Sequence, residues 1–262
     1  FTLPGGVAIH SYGVVLTLAI GVGLVLVHRW GLKAGMPKDF GLDLLLIAFG
    51  GSLLGARGEY VRTNWTLFEN DLGAIFDLRS GGQVYYGGVV FVIFLVVLYS
   101  RWKHISALGV MDILAPASTV GQVIGRVGCL MSGCCHGGPT DVPWAVTFSH
   151  PDGLAPRGIP LHPTQVYESI YCALLAAFLI WLLPKKRFHG QVLLSYFSIY
   201  PALRFGNEFF RDDPERGYFL PTLFGEHLSS AQGLSLMMLL GATVGWVVLV
   251  RGTSDKGDTL AL

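Results

Sequence analysis

Apolar residues in this chain gather into long runs, separated by shorter polar stretches that hold most of the charge. Seven runs, near 7–28, 42–61, 84–100, 109–131, 166–183, 190–210 and 231–250, approach the roughly 20 residues a helix needs to cross a hydrocarbon layer. Backbone N–H and C=O groups find no partners in lipid, so each run is expected to be helical. The third run is short, and the fourth and sixth carry arginines. Segments 62–83, 132–165 and 211–230 form the long polar connections. The middle one is rich in Pro and Gly, and its alternating "WAVTF" is expected to pair as a strand. The pattern predicts an all-α polytopic membrane protein. It has seven transmembrane helices in a single transmembrane domain, 1–262, and segment 132–165 forms a small extracytoplasmic cap.

Composition strengthens this reading and removes others. The chain is 52% hydrophobic and 13% charged, about half the charge of an ordinary soluble domain. Its net charge is +1 and no basic stretch exceeds Lys185–Arg187, so nucleic acid is not an expected partner. Four cysteines in a chain of 262 residues do not make a disulfide framework. The first apolar run lacks a basic flank and a small-residue cleavage site, so no secretory signal is expected. All the lysines (33, 38, 103, 185, 186 and 256) fall in alternate connections or the C-terminal tail. The positive-inside rule then puts the N-terminus outside and the C-terminus in the cytoplasm.

Several ionisable residues lie inside the runs, where each costs roughly 2.5–3.5 kcal/mol on insertion scales. Arg126 is late in the fourth run, Arg204 and Glu208 late in the sixth, Arg57 and Glu59 late in the second. Glu168 and His10 are early in the fifth and first. With the orientation above, all of them sit in the outer half of the membrane. Tyr200, Arg204 and Glu208 fall at i, i+4 and i+8 on one helix face, Gln122 and Arg126 are four apart, and Gln165 and Glu168 three apart. Arg204 and Glu208 neutralising each other would explain that pair, but not Arg126 at the same depth. Guanidinium groups match phosphate oxygens bidentately and stay charged when desolvated. The residues therefore point to an outer-leaflet phospholipid site, and not yet to a reaction.

The stretch "GRVGCLMSGCCHGGPT", 125–140, admits several chemistries. No Lys-Ser/Thr follows its glycines, so it is not a phosphate loop. Cys129, Cys134, Cys135 and His136 are soft ligands, but there is no C-x-x-C pair and no second Cys/His cluster, so no metal is expected. The segment reads as a helix ending near Ser132 and a glycine turn into the cap, with Arg126 as its chemical residue and the cysteines as small apolar bystanders.

With these residues in view, the chain resembles the prolipoprotein diacylglyceryl transferase family over nearly its whole length. The resemblance is carried by "VAIHSYG" (Val7–Gly13), "GAR" followed by Tyr60, "GGQVYYGG" (Gly81–Gly88), "GRVG" (Gly125–Gly128), "LHPTQVYE" (Leu161–Glu168) and "RFGNEFFR" (Arg204–Arg211). It implies a multi-pass enzyme of the bacterial inner membrane. Such an enzyme moves the diacylglyceryl group of outer-leaflet phosphatidylglycerol onto the lipobox cysteine that follows a preprolipoprotein's signal peptide, releasing glycerol 1-phosphate, without a cofactor. By resemblance, Arg126 and Arg204 bind the phosphate, Glu208 orients Arg204, and Tyr12, His162, Gln165 and Glu168 line the site. Arg57, Tyr200, Gly87, Gly88 and Gly137 complete the candidate substrate-binding set. The chain departs from the family pattern at three positions. Tyr86 stands where a histidine is usual, and Cys129 and Cys134 stand where an asparagine and a glutamate are common. Tyrosine is a poor base at neutral pH, so Tyr86, His10 and His162 are all candidates for taking the thiol proton. Two alternatives remain at this stage: the same lipid donor with another acceptor, or a non-catalytic lipid-binding membrane protein.

Overall fold

The computed structural model of the protein describes residues 11–77, 81–151, 153–211, 218–223 and 226–254. His10 lies outside the described residues. Each of the seven apolar runs contains an α-helix: α1 Ser11–Lys33, α2 Phe40–Thr63, α3 Tyr85–Trp102, α4 Ala107–Ser132, α5 Thr164–Leu182, α6 Gln191–Glu208 and α7 Ser230–Ser254. Among the described residues, five helices are long and apolar enough to cross a membrane: α1, α2, α4, α5 and α7. α3 is the short apolar helix expected. α6 is more polar because it carries Arg204, Asn207 and Glu208. Large apolar side chains lie exposed along these helices, Leu46, Phe49 and Leu54 on α2 and Leu240, Val244 and Val248 on α7 among them. A water-soluble fold does not tolerate such faces over that length, and a lipid-solvated one does. The protein is a helical membrane protein.

The chain divides into two compact units. Residues 24–110 form one, dominated by the antiparallel packing of α2 and α3. Small residues make that packing close. A Cβ on Gly87 would fall 2.5 Å from the Gly55 carbonyl oxygen and 2.3 Å from Glu59 Cβ. Gly87 and Gly88 are therefore required by helix contact, which is a reason for them independent of any substrate. Tyr99 donates to Asp43 (2.9 Å), and Lys103 lies 3.8 Å from the same carboxylate.

Residues 1–23 and 111–262 form the other unit, in which α6 packs on both α5 and α7. Leu175, Leu179, Leu182, Val192 and Ala115 make its buried apolar cluster. Asp112, fully buried on α4, accepts from Lys186 Nζ (3.0 Å) and from the backbone N–H groups of Gly190 (2.8 Å) and Leu193 (2.9 Å). It satisfies the orphan donors at the start of α6 and meets their positive dipole end with a charge.

Between α4 and α5, "WAVTF" does contribute a strand. β1 (Val146–Thr147) pairs antiparallel with β2 (Pro160–Leu161). Gly137 N–H donates to the His162 carbonyl (2.8 Å) and His162 N–H to the Gly138 carbonyl (3.0 Å), fixing His162 at the mouth of α5. A second antiparallel pair, β3 (Tyr218–Leu223) with β4 (Glu226–Ser229), leads into α7.

Candidate active site

In the unit formed by residues 1–23 and 111–262, charged groups from α4, α5 and α6 meet. Arg126 Nη2 donates to Glu168 Oε1 at 2.7 Å, and the Tyr200 hydroxyl donates to the same oxygen at 3.1 Å. Glu168 is 1% exposed, and its second oxygen, Oε2, has no hydrogen-bond partner among the described residues. One turn along α6 from Tyr200, Arg204 pairs with Glu208 through Nη1 and Oε2. Ser229 Oγ donates to the other oxygen of Glu208 (3.0 Å), and Arg211 Nε lies 3.8 Å from Oε2. Glu168 is also within electrostatic reach of Arg204, so the two pairs form one cluster. Among the described residues, this cluster sets three guanidinium groups against two carboxylates. The i, i+4, i+8 face expected on α6 holds, with its first member turned to Glu168 and its last two paired.

Hydrogen bonding leaves capacity in this cluster. Arg126 has a single hydrogen-bond partner among the described residues, and its side chain is 21% exposed. Among the described residues, the buried acceptors Gln165 Oε1, Asn207 Oδ1 and Glu168 Oε2, on the same two helices, α5 and α6, have no hydrogen-bond partner. Buried acceptors are rarely left so in a fold built only for stability. Gln165 Nε2 donates to the Cys134 carbonyl (2.6 Å) and Thr164 Oγ1 to the Cys135 carbonyl (2.7 Å), tying the loop after α4 to the start of α5. Gly137 lies in that loop. A Cβ there would fall 2.3 Å from the Phe210 carbonyl oxygen and 2.6 Å from His162 Cβ, so the close approach requires glycine. Tyr12 on α1 packs beside Gly128, two residues along α4 from Arg126.

Next to the cluster opens an apolar cavity of about 630 Å³, lined by Trp144, His162, Tyr171, Leu203, Asn207 and Phe210 among others. His162 Nδ1 lies 3.1 Å from the Tyr167 hydroxyl, which accepts from Trp144 Nε1 at 2.7 Å. In the tautomer whose Nδ1–H donates to Tyr167, Nε2 is the basic nitrogen. Trp144, Tyr167, Tyr171 and Asn207 were not singled out from the sequence. The signal for two of them was present, since Tyr167 lies inside "LHPTQVYE" and Asn207 inside "RFGNEFFR".

The remaining predicted residues belong to the other compact unit. Tyr86 is in the first turn of α3 and 55% exposed. Arg57 is 5% exposed, and all of its donors are engaged. Nε donates to the Ile75 carbonyl (2.8 Å), Nη1 to Gly81 (2.6 Å) and Gly82 (3.1 Å), and Nη2 to Ala74 (2.7 Å) and Asp77 (2.9 Å). Five N–H groups meet five carbonyls, leaving none for a phosphate. Arg57 has the geometry of a loop anchor. Glu59 forms a two-point pair with Arg62 on its own helix, at 2.7 and 2.8 Å.

The end of α4 gathers the cysteines. Gly133 takes a left-handed conformation (φ 71°). Its N–H donates to the Leu130 carbonyl (3.2 Å), and Cys134 N–H donates to the Cys129 carbonyl (3.1 Å). This is a Schellman helix end, whose geometry brings the residue after the glycine over the one that accepts its bond. Cys134 is thereby set over Cys129. Cys135 also adopts a left-handed φ of 60°, at a cost of about 1–2 kcal/mol for a residue with a Cβ. The Sγ atoms of Cys129, Cys134 and Cys135 all lie within 4.8 Å of one another, and no disulfide joins them. The Cys135 thiol is held well below the usual thiol range by a hydrogen bond from Cys129 and by the guanidiniums of Arg211 and Arg126, against burial, which acts the other way.

Comparison with known proteins agrees with this geometry. The family model described as prolipoprotein diacylglyceryl transferase matches residues 1–248. The phosphatidylglycerol–prolipoprotein diacylglyceryl transferase 2 of Clostridium perfringens is 30% identical over 254 residues, covering 97% of this chain and 96% of that protein. The phosphatidylglycerol–prolipoprotein diacylglyceryl transferase of Clostridium tetani is 32% identical over 235 residues, covering 90% and 91%. That of Finegoldia magna is 32% identical over 209 residues, covering 79% and 81%. A match across nearly the full length, with the buried arginines and their acidic partners gathered in one cluster, identifies the chain as a member of the prolipoprotein diacylglyceryl transferase family.

Proposed function

We propose that this protein is a phosphatidylglycerol–prolipoprotein diacylglyceryl transferase. The acceptor is the lipobox cysteine of a preprolipoprotein. Its sulfur attacks the glyceryl carbon esterified to phosphate. A C–S bond forms as the C–O bond breaks, and glycerol 1-phosphate departs with the electron pair. Arg126 and Arg204 hold the phosphate and stabilise the charge that builds on it as it leaves. Glu168 and Tyr200 orient Arg126, and Glu208 and Ser229 orient Arg204. His162, on the wall of the apolar cavity, takes the thiol proton at Nε2. The cavity accommodates apolar parts of the substrates.

The observation that carries this reading is Arg126: among the described residues it is a largely buried cation with one donor engaged, in a cluster of three guanidiniums and two carboxylates. In the same reading the seven helices all span the inner membrane, the N-terminus is outside, and segment 132–165 caps the site on the outer face. The lysine distribution supports that orientation. The test is mass spectrometry of a lipobox peptide incubated with purified protein and phosphatidylglycerol. A mass gain of one diacylglyceryl unit on cysteine, with glycerol phosphate released, is the expected result. No gain, in a preparation that still binds the lipid, excludes this acceptor.

A further inference from the structure

We propose that Cys129, Cys134 and Cys135 form a three-thiolate binding site for one soft divalent metal ion of the zinc class. Their Sγ atoms already lie within 4.8 Å of one another. Zinc–sulfur bonds of about 2.3 Å in tetrahedral geometry put sulfurs about 3.8 Å apart, so closure needs side-chain movements of an ångström or less. The backbone has done the larger part of the work. The Schellman end of α4 stacks Cys134 on Cys129, and the left-handed turn at Cys135 brings its sulfur back to the same side. Adjacent residues in extended chain would point to opposite sides.

Charge supports the same assignment. Three thiolates around a divalent ion carry one net negative charge, and the guanidinium of Arg126 acts on all three sulfurs and that of Arg211 on Cys135. Neutral ligands would leave a divalent ion facing those arginines uncompensated. The three sulfurs are half-buried, so an ion can reach them, and the fourth tetrahedral position is left to water or an anion. The remaining cysteine, Cys172, is buried on α5 with its thiol against Gln122 Oε1 (3.7 Å) and is not part of the group. Loading would staple the loop after α4 to its helix. That loop supplies the Cys134 and Cys135 carbonyls that hold Gln165 and Thr164, so the ion would rigidify the region next to Glu168. The site needs neither the transferase reaction nor its acceptor, and it can be tested apart from them.

The test uses the full chain in detergent micelles, reduced with a phosphine and stripped of metal with a chelator. Zinc(II) is titrated against a chromophoric chelator, and cobalt(II) is used separately to read sulfur-to-metal charge-transfer absorption. Stoichiometric uptake of one ion, with absorption characteristic of three thiolates, is expected. Affinity should fall by about 100-fold or more in Cys134→Ser/Cys135→Ser and stay unchanged in Cys172→Ser. Thiol alkylation of the wild-type chain provides a readout that depends on no variant. One equivalent of zinc should protect Cys129, Cys134 and Cys135 together. No stoichiometric uptake by the reduced protein, no joint protection, or equal zinc binding by the double variant would overturn the proposal.

Discussion

Two buried arginines, Arg57 in the unit of residues 24–110 and Arg126 in the unit of residues 1–23 and 111–262, look equivalent in sequence. Both sit late in an apolar run, and each carries the same insertion penalty. Their surroundings differ. Arg57 gives every N–H to a backbone carbonyl of residues 74–82 and rests against the rings of Tyr60 and Phe68, 5.6 and 5.3 Å from their centroids. Arg126 gives one N–H to Glu168. A cation whose donors all end on the protein's own backbone can only hold that backbone. A cation with donors left over can hold something else. Burial alone therefore does not separate these two charges, and the count of donors engaged among the described residues does.

Substitution can break this comparison. Arg126→Lys keeps the charge near Glu168 and loses the planar fork, and transfer to a lipobox peptide should fall by about 10²–10³-fold in a protein that still folds. Arg204→Ala should be at least as damaging to the rate, and Cys134→Ala far less so. If both Arg204→Ala and Cys134→Ala leave transfer intact, the phosphate role of the arginines is lost. His162→Gln should lower the rate by about 10²-fold, while Tyr86→Phe changes it little. The reverse ranking in a pH-controlled rate assay would move the proton acceptor to Tyr86. Arg57→Lys should act on stability, costing about 3 kcal/mol in a denaturation assay, with near-normal transfer per folded molecule. A rate loss without a stability loss would make Arg57 a substrate ligand after all. The smallest effect is expected for Gly87→Ala, a destabilisation of about 1–3 kcal/mol from crowding against Gly55, with the rate per folded molecule unchanged.

Asp112 extends the lesson to acids. It is as buried as Glu168, yet both its oxygens are engaged, by Lys186 and by the first turn of α6, while among the described residues one oxygen of Glu168 is not. In the sequence Asp112 lies near the start of an apolar run, where an acid at an interface is unremarkable. Only the approach of Lys186 and α6, far along the chain, reveals it as a cap.

The helices were legible because lipid imposes a local rule. A run of about 20 apolar residues must satisfy its own backbone, and composition alone reports such a run. The helix end at Ser132 and the strand in "WAVTF" were legible for the same reason, since glycine placement and alternation are local signals. The cluster of Arg126, Glu168, Tyr200, Arg204 and Glu208 was half legible. Spacing on α6 gave its internal face, but the partner of Arg126 comes from 42 residues away. Two features were decided by tertiary structure alone. One is the commitment of Arg57 to a loop 17 to 25 residues distant, which no periodicity encodes. The other is the meeting of three thiols whose Cys-x4-Cys-Cys spacing carries no ligand signature, and which a left-handed helix end folds together. Sequence determined which runs are apolar enough for lipid and which charges go with them. Tertiary structure decided which of those charges are already satisfied, because hydrogen-bond partners distant in sequence are fixed only when the chain has packed.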